Sequence, residues 1–554
     1  MIKILENNIL KLGLVMFLFF LIGIIQVRVF YPPGQLIVDH DMMFHLNRIY
    51  GLAEAIRVGQ FPFYISPVFL GGYGYASNWF YSDLFLLPAS ILVLIDFELV
   101  PMFKMFLILI TTLTGLSMYY CASKISKNNF IGLLAAIIYV LSHYRFYNVF
   151  IRSAMGEVIA YIFLPFVLYG IYELIFKDKK KWYILTFSFT ALLFTHVIST
   201  VIAFIFVVVF CIINYKAFME EPSRLGYLIV SGLVSLFTAA FFLFPFLEQT
   251  LAHTYHFQEY PIFHTHLTSI PLSGIFRGLF LNPIYRNELF FIGLGPTMLI
   301  SLTLIFLFLK KEKHIIKFAN CLTILSLFFI FMVSNLFPWQ SLSFLNFIQF
   351  PWRLYGLISL LLSMSAAIYV VELKLRKLYN CIIIAGVIVV SIAFSLIGPM
   401  NMGINDRFAY FTKESVMTTR NSFQIGGGNE YLPISLTPGY ILHRHSVMSV
   451  GYNPEITTIY GLHQTGNTLT ITFTSGETDV FEVPLIYYPG YRAFLNGNVI
   501  NIQQGYNALI LIEVEATRNG ELIIIYHGTT IQRISLAASL FSCVIYSCIY
   551  ALFE

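Results

Sequence analysis

Long apolar stretches alternate with short polar segments along most of this chain. Many of the stretches run to about 18 residues or more, enough for a helix to cross ~30 Å of hydrocarbon. Lysine and arginine gather between them in four clusters, at Lys124 and Lys127, Lys177–Lys181, Lys310–Lys317 and Lys374–Lys377. Such clusters are typical of the cytoplasmic face of a membrane protein. The pattern predicts an all-α polytopic membrane bundle of about 12 transmembrane helices.

The positive clusters also predict a topology. If all four face the cytoplasm, the crossings between them come in even numbers. Residues 182–215 should then form two short helices with His196 near the outer turn, and residues 84–95 a short interfacial or re-entrant helix. Ile9–Phe30 lacks a small-residue cleavage site, which predicts a retained helix instead of a signal peptide. We expect a multi-pass protein with both termini inside.

Between the last two apolar segments, apolar and polar residues alternate with a period of two. Leu469, Ile471 and Phe473 alternate with threonines, which is typical of a half-buried strand. Asn496–Gly497 and Asn519–Gly520 predict hairpin turns, and a final strand is expected at residues 521–526. This part of the chain predicts a small, antiparallel β-sandwich-like domain.

The predicted organisation has three parts. Residues 1–397 form the transmembrane module, with amphipathic helices in a first outer loop at 31–99. Residues 398–532 form an extracytoplasmic β-rich domain. Residues 533–554 form a C-terminal transmembrane helix.

Composition narrows the function. Hydrophobic residues make up 58% of the chain and charged residues 11%, against about 25% charged in ordinary soluble domains. The net charge of +5 comes from short runs between apolar segments, so no nucleic-acid partner is expected. The sequence has no P-loop, nucleophile-elbow serine or cysteine cluster. Without a sizeable cytoplasmic domain, any chemistry should use a lipid-borne or extracellular substrate.

The first outer loop holds the most informative segment, at residues 40–49. On a helix, Asp41, His45 and Arg48 lie along one stripe beside an apolar stripe. This predicts a helix on the outer membrane surface that presents an acid, an imidazole and a guanidinium together. The alternative is an ordinary interfacial helix with a solvated face.

A second acid follows in the next outer loop. Glu157 stands in the first turn of a predicted helix, shortly after Arg152. The helix dipole alone favours a carboxylate there, but an ionisable residue at membrane level also indicates function. Arg152 and Arg353 suit a phosphate through their planar guanidinium groups, with snorkelling to lipid headgroups as the alternative.

Further polar residues are weaker candidates. They are Asp39, His40, Asp83, His196 and Glu248. Four histidines crowd residues 253–266, and a metal site there would draw on His264 and His266. A mobile loop that covers a site is the other interpretation of this segment.

Several segments together resemble a known family. They are His40–Ile49, Gly59–Pro62, Gly72–Tyr75, Phe80–Leu86, Arg152–Glu157, Thr195–His196, Phe350–Arg353 and Asn429–Pro433. The set resembles the YfhO-like branch of the GT-C glycosyltransferases, also labelled membrane proteins related to 6-pyruvoyl-tetrahydropterin synthase. Nothing in the sequence resembles the zinc-binding histidines of that synthase, so no pterin chemistry is implied.

The resemblance implies a bacterial plasma-membrane enzyme whose active face is extracytoplasmic. It would move a sugar from undecaprenyl phosphate to a cell-wall glycan or teichoic acid, with inversion. Asp41 would be the general base, and Arg152 or Arg353 would neutralise the leaving phosphate. Glu157 would position the acceptor, and a divalent cation, Mg²⁺ or Mn²⁺, if one is used, would draw on Asp41 and Glu157. His40, His45 and His196 would be secondary.

The resemblance also implies partners. They are the polyprenyl-phosphate-linked sugar, the glycan acceptor, membrane lipid, a polyprenyl-phosphate sugar synthase and a flippase. The β-rich domain would bind glycan or shape the acceptor groove. Two other functions stay open, a transporter or flippase for a lipid-linked glycan and a non-catalytic glycan-binding scaffold.

Overall fold

The computed structural model describes most of the chain. The described residues are 8–37, 40–60, 63–66, 68–260, 263–280, 292–401, 408–411, 423–426, 429–443 and 449–553. Asp39, one of the candidates above, lies outside them.

Helices dominate the described residues up to position 401. In chain order the first eleven are α1 (Asn8–Phe30), α2 (Met42–Arg57), α3 (Ser77–Phe80), α4 (Leu87–Leu94), α5 (Leu99–Ser126), α6 (Asn129–Val140), α7 (His143–Tyr147), α8 (Met155–Phe176), α9 (Trp182–Leu193), α10 (Val197–Ile213) and α11 (Tyr215–Glu220). The remainder are α12 (Ser223–Thr238), α13 (Ala240–Ala252), α14 (His256–Glu259), α15 (Thr265–Thr268), α16 (Leu272–Phe280), α17 (Leu299–Phe308), α18 (His314–Val333), α19 (Leu354–Glu372), α20 (Lys377–Asn401), α21 (Pro438–His443) and α22 (Thr530–Phe553).

Length and composition identify the membrane-crossing helices. Within the described ranges seven helices are long and apolar enough, namely α1, α5, α8, α18, α19, α20 and α22. The number of candidate membrane crossings rises to as many as nine if each of two bent helix pairs is counted as one crossing. These pairs are α6 with His143–Arg152 and α12 with α13. Helices α4, α10 and α17 are apolar but shorter. The protein is therefore multi-pass, and the count of about 12 stays a prediction.

Two helices form the centre of the bundle. In α8, and in α19 taken with the three residues before it, 94% of an apolar stretch of 18 residues is buried inside the protein. A helix that is apolar all round can be covered on every side in this way. Glu157 stands in the first turn of α8, and Arg353 directly precedes α19. The most buried of the membrane-crossing helices in the described ranges therefore carry or adjoin these two side chains.

The region before the last helix is built of antiparallel strands. They are β3 (Thr457–Thr465), β4 (Thr468–Ser475), β5 (Asp479–Ile486), β6 (Tyr491–Leu495), β7 (Asn498–Ile500), β8 (Gln503–Gln504), β9 (Leu509–Val514) and β10 (Thr517–Tyr526). One sheet has the order β3-β4-β10-β6-β7 and the other β5-β9-β8. Both contribute to one hydrophobic core. A β-rich region is thus present, and the sandwich packing stays a prediction.

Individual strand predictions differ in outcome. Leu469, Ile471 and Phe473 are buried on β4, as their alternation indicates. Asn496–Gly497 forms the predicted turn between β6 and β7, and both residues have positive φ. The turn predicted at Asn519–Gly520 is wrong, because both residues lie within β10 beside a register shift. A Cβ on Gly520 would meet the Phe473 ring, so glycine serves close packing there.

The sheets pack on the first loop. The Ile486 N–H donates to the Tyr73 carbonyl oxygen (3.0 Å), and Gln464 donates to the Gly72 carbonyl oxygen (2.9 Å). Two short strands, β1 (Gln35–Ile37) and β2 (Phe408–Tyr410), pair antiparallel as a second link between distant parts of the chain.

These contacts change the expected character of α2. Its residues from Met42 to Ala53 are buried throughout. The alternative of an ordinary interfacial helix with a solvated face is therefore wrong. The physical reason is long-range packing, because the bundle and the residues of the first loop cover the polar stripe as well as the apolar one.

Candidate functional site

A cavity of about 330 Å³ lies where four helices begin. Residues at or just before the N-termini of α2, α8, α10 and α19 line it, together with residues 425–431. Each helix N-terminus carries unpaired N–H groups and the positive end of the helix dipole. Their convergence makes the cavity favourable for an anion. The candidates that line it are Asp41, Glu157, Arg152, Arg353, His40, His45 and His196.

Glu157 is the most heavily bonded group in the cavity. Its Oε1 accepts from Arg152 Nη1 (3.0 Å) and Arg353 Nε (2.9 Å). Its Oε2 accepts from the Tyr144 hydroxyl (2.7 Å) and from Asn148 Nδ2 (3.1 Å). The side chain is only 5% exposed. Four donors hold Glu157 as a carboxylate, which makes it a poor proton acceptor and a strong anchor for both arginines.

The two arginines retain donors after binding Glu157. Among the described residues, Arg152 donates only from Nη1, to Glu157 and Asn148. Arg353 uses Nε for Glu157 and Nη1 for the Ile348 carbonyl oxygen and Gln349, which leaves Nη2. Two guanidinium groups against one fully bonded carboxylate leave an excess positive charge on this wall.

Aromatic rings hold the arginines in place from the other side. Arg152 lies 4.7 Å from the centroid of the Trp352 ring, and Arg353 lies 5.0 Å from that of Phe350. Cation–π contacts of this kind fix the plane of a guanidinium without consuming its donors. The planar faces are therefore fixed before any ligand arrives.

Asp41 is bonded quite differently from Glu157. Its backbone N–H donates to the Arg152 carbonyl oxygen (3.2 Å), which links the start of α2 to the segment that precedes α8. No side chain in the described part of the molecule donates to its carboxylate. Burial raises the pKa of Asp41 above its ordinary 3.8, and Arg152, His40 and Arg353 oppose that rise without cancelling it. Asp41 is thus the carboxylate with capacity to take a proton.

Two histidines present neutral rings. Arg48 Nη1 lies 3.1 Å from His45 Nδ1, so that nitrogen accepts and the proton is on Nε2. Burial, and then the charge of Arg48, holds the pKa of His45 well below 6.5. His196 caps α10, accepting from the Ser199 N–H through Nδ1 (3.2 Å). Both rings therefore offer an Nε2–H donor, and His40 lines the cavity rim beside them.

Arg48 and Asp83 do not line the cavity. They pair with each other, with Arg48 Nε donating to Asp83 Oδ1 at 2.7 Å, and both are buried. Arg48 also donates to the carbonyl oxygens of Tyr81 (3.0 Å) and Ser82 (2.9 Å). The expected stripe of Asp41, His45 and Arg48 is therefore divided, because Arg48 fixes the 81–83 segment against α2. The Arg48 guanidinium lies 3.9 Å from the ring centroid of Tyr81, which does line the cavity.

Glu430 was missed in the sequence analysis. It lines the cavity from the segment before α21, and its Oε1 accepts from Gln349 Nε2 (3.2 Å). Because Gln349 also accepts from Arg353, a chain of bonds links Glu430 to Glu157. Burial raises the pKa of Glu430, and Arg353 partly offsets it. The signal was its position inside the Asn429–Pro433 segment of the family pattern.

Of the four suggested metal ligands, Asp41 and Glu157 share the cavity, whereas His264 and His266 are not among the residues that line it. The described residues contain no group of three or more histidine, cysteine, aspartate or glutamate side chains that could hold a metal ion. His264, directly before α15, lies beside His266 on that helix, and neither lines the cavity. Both carboxylate oxygens of Glu157 already accept hydrogen bonds, from four donors in all. These residues therefore do not fit the divalent cation that the sequence analysis left open. Glu248, another candidate from the sequence, accepts from Thr529 Oγ1 (2.7 Å) near the start of α22.

A family match supports this picture of a membrane protein. The model of the family "Bacterial membrane protein YfhO" matches residues 51–418. An uncharacterized protein of Lactococcus lactis subsp. cremoris (strain MG1363) is 24% identical over 323 residues, which are 55% of this chain and 51% of that protein. The cryo-EM structure of the arabinofuranosyltransferase AftD from Mycobacteria is similar with a TM-score of 0.43 and 13% identity, over 71% of this chain and 27% of AftD.

This chain spans about half the length of its curated relative, and a smaller share of AftD. The family match covers well over half of the chain, and it includes Arg152, Glu157, His196 and Arg353. The chain belongs to the YfhO family of bacterial membrane proteins.

Proposed function

We propose that this protein is a membrane glycosyltransferase that moves a sugar from a polyprenyl-phosphate carrier to an extracytoplasmic glycan acceptor, with inversion. The observation that carries the proposal is the contrast between two carboxylates in one cavity. Asp41 accepts no hydrogen bond from a described side chain, whereas Glu157 accepts four. One acid is placed to take a proton, and the other to hold cationic groups.

The donor's phosphate would bind at the arginine wall. Arg152 and Arg353 keep Nη2 donors, and four helix N-termini face the same cavity. Phosphate oxygens suit planar guanidinium groups and helix N-termini. The arginines would stabilise the charge that grows on the phosphate as the sugar leaves, which is the main catalytic requirement of this reaction.

Asp41 would be the general base. The acceptor hydroxyl oxygen attacks the anomeric carbon while Asp41 takes its proton. The bond from the anomeric carbon to the phosphate oxygen breaks, and its electron pair leaves with polyprenyl phosphate. A positioned base contributes about 10²–10⁴-fold to a rate of this kind. Glu157 would act as a positioning residue, since its contacts are with the arginines.

The acceptor would approach past the β-rich region. Glu430 and Tyr431 line the cavity from a segment anchored to the first loop by the Tyr431 N–H donating to Tyr75 Oη (3.2 Å). We assign to Glu430 the hydrogen bonding of sugar or acceptor hydroxyls. The sheets of residues 457–526 would shape the acceptor groove, and teichoic acid or another wall glycan is the class of acceptor proposed.

Purified protein in lipid nanodiscs tests this function. A panel of polyprenyl-phosphate sugars is supplied with wall glycan, and release of polyprenyl phosphate is measured. We expect at least one donor to be consumed, and Asp41→Asn to slow release by about 10²-fold or more. Asp96→Asn is the matched control, since Asp96 is 80% exposed outside the cavity, and it should keep the wild-type rate.

Two other functions predict different outcomes. A non-catalytic scaffold would bind glycan equally well with Asp41→Asn and consume no donor. A flippase would move the lipid-linked sugar across the bilayer with its sugar–phosphate bond intact. Consumption of donor at the same rate by wild type and Asp41→Asn contradicts the role of Asp41, and consumption by neither contradicts the enzyme.

A further inference from the structure

Two further cavities meet beside the last helix, away from the site above. They lie between α13, α22 and the first loop, with volumes of about 300 and 210 Å³. Tyr64 and Leu536 line both, so the two spaces adjoin. One is apolar and the other polar, and together they form an amphipathic groove.

The apolar cavity is at a break in the membrane helices. Helices α12 and α13 bend by 72° at Ala239, and α22 packs against the bend. The Phe241 N–H donates to Ser539 Oγ (2.8 Å), and Thr238 Oγ1 lies 2.8 Å from Ser542 Oγ. Such contacts satisfy the polar groups at a helix break in a bilayer. The break leaves a space lined by Phe241, Phe242, Leu540 and Trp79.

One charged residue borders the apolar cavity. Asp83 lines it, but its Oδ1 is paired with Arg48. The remaining lining is dominated by aromatic and aliphatic side chains. An apolar space of this kind suits the hydrocarbon chain of a lipid.

The polar cavity carries a positive group. Arg533 lines it and donates to His527 Nδ1 (2.9 Å), and no described carboxylate lies within 4 Å of its guanidinium. The Tyr64 hydroxyl is buried and has no hydrogen-bond partner in the described residues, and the same holds for the Gln60 side-chain oxygen. Tyr64 as a whole is 6% exposed. Glu248 does not line this cavity, and it accepts from Thr529 Oγ1.

The order of these groups along α22 matches that of a lipid. Gln532 and Arg533 stand in the first turn, and Leu540 and Cys543 follow about 10–15 Å further along the helix axis. We propose that the groove binds one phosphate-bearing membrane lipid, with its head at Arg533 and Tyr64 and its chain beside Trp79. This site goes beyond the proposed transfer reaction and does not depend on it.

Quenching of Trp79 fluorescence tests the site on the full chain in detergent. The probe is phosphatidylglycerol with dibrominated acyl chains, because bromine quenches a tryptophan that it contacts. The same titration of Trp79→Phe supplies the background from the other three tryptophans. We expect saturable quenching that depends on Trp79.

Matched variants separate the head from the chain. Arg533→Gln should raise the half-saturating concentration about tenfold, as expected for loss of a charge-assisted hydrogen bond. Arg492→Gln should leave it unchanged, since Arg492 is exposed outside the cavity. Cys543→Phe should abolish the quenching by filling the apolar cavity, whereas Cys548→Phe, further along α22, should not.

Other probes identify the source of the phosphate. Inorganic phosphate should compete only weakly, and dibrominated diacylglycerol, which lacks phosphate, should bind about tenfold more weakly than the phospholipid. Dibrominated polyprenyl phosphate, binding as well as phosphatidylglycerol, would support a site for any phosphate-bearing lipid. Absence of quenching at Trp79, equal binding of diacylglycerol, or equal effects of Arg533→Gln and Arg492→Gln would overturn the proposal. If Cys543→Phe does not fold, the two arginine variants decide.

Discussion

Asp41 and Glu157 share one cavity but are surrounded by opposite chemistry. Glu157 is held by two guanidinium groups, a phenol and an amide, while the Asp41 carboxylate has no donor among the described side chains. This difference in environment is the basis for the different roles proposed for the two acids.

The raised pKa of Asp41 predicts the pH dependence of transfer. A general base must be deprotonated, and burial raises the pKa of Asp41 above its ordinary 3.8. Activity should therefore be lost as the pH falls through that raised value, at a pH above the range of an ordinary aspartate. The initial rate at saturating donor, measured from pH 4 to 8, checks this. A rate that stays constant to pH 4 would contradict the assignment.

Glu157→Gln should mainly destabilise the protein. The change removes the carboxylate charge that both arginines bond directly, and breaking a buried ion pair typically costs about 3–5 kcal/mol. Asp41→Asn should leave the stability nearly unchanged, because no described side chain donates to that carboxylate. Thermal unfolding in detergent measures both. Equal melting temperatures for the wild type and Glu157→Gln would show that the carboxylate does not hold the arginines.

At the level of helices, the site depends on one close approach between α8 and the first loop. A Cβ on Gly156 would collide with the hydroxyl end of Tyr81. Tyr81 lines the cavity and its ring covers Arg48. The glycine therefore allows the loop to reach the N-terminus of α8.

Gly156→Ala should displace Tyr81 and impair transfer. Overpacking of this kind costs about 1–3 kcal/mol, and we expect a drop in kcat/KM larger than the drop in melting temperature explains. Gly226→Ala is the control, since a Cβ there meets nothing within 4 Å in α12. Identical transfer kinetics for both alanine variants would rule out a role for the Gly156–Tyr81 contact.

Local patterns predicted some elements well. The alternation around Ile471 gave a buried strand, and Asn496–Gly497 gave a hairpin turn, because neighbouring residues decide both. The 182–215 segment consists of two helices, as the positive clusters required. The turn predicted at Asn519–Gly520 was wrong because Gly520 allows close packing against Phe473, a residue on a neighbouring strand.

Long-range contacts could not be predicted in the same way. Arg48 pairs with Asp83, 35 residues away, which removes both from the site. Glu430 reaches the cavity from a segment far along the chain, held by the Phe257 N–H donating to its carbonyl oxygen (3.0 Å). The sequence identified candidate polar residues in the first two outer loops. Tertiary packing decides which of them line the cavity and which, such as Arg48 and Asp83, stabilise the surrounding structure.

For the whole molecule, the central claim is that four helix N-termini, two arginines and a carboxylate to which no described side chain donates form a single transfer site. The most direct measurement compares the wall glycans of cells that lack the gene after complementation with wild type, Asp41→Asn or Asp96→Asn. The account predicts that wild type and Asp96→Asn restore one sugar substituent. Asp41→Asn, expressed at the same level, should leave the substituent absent and its polyprenyl-phosphate donor accumulated. Full restoration of the glycan by Asp41→Asn would contradict the account.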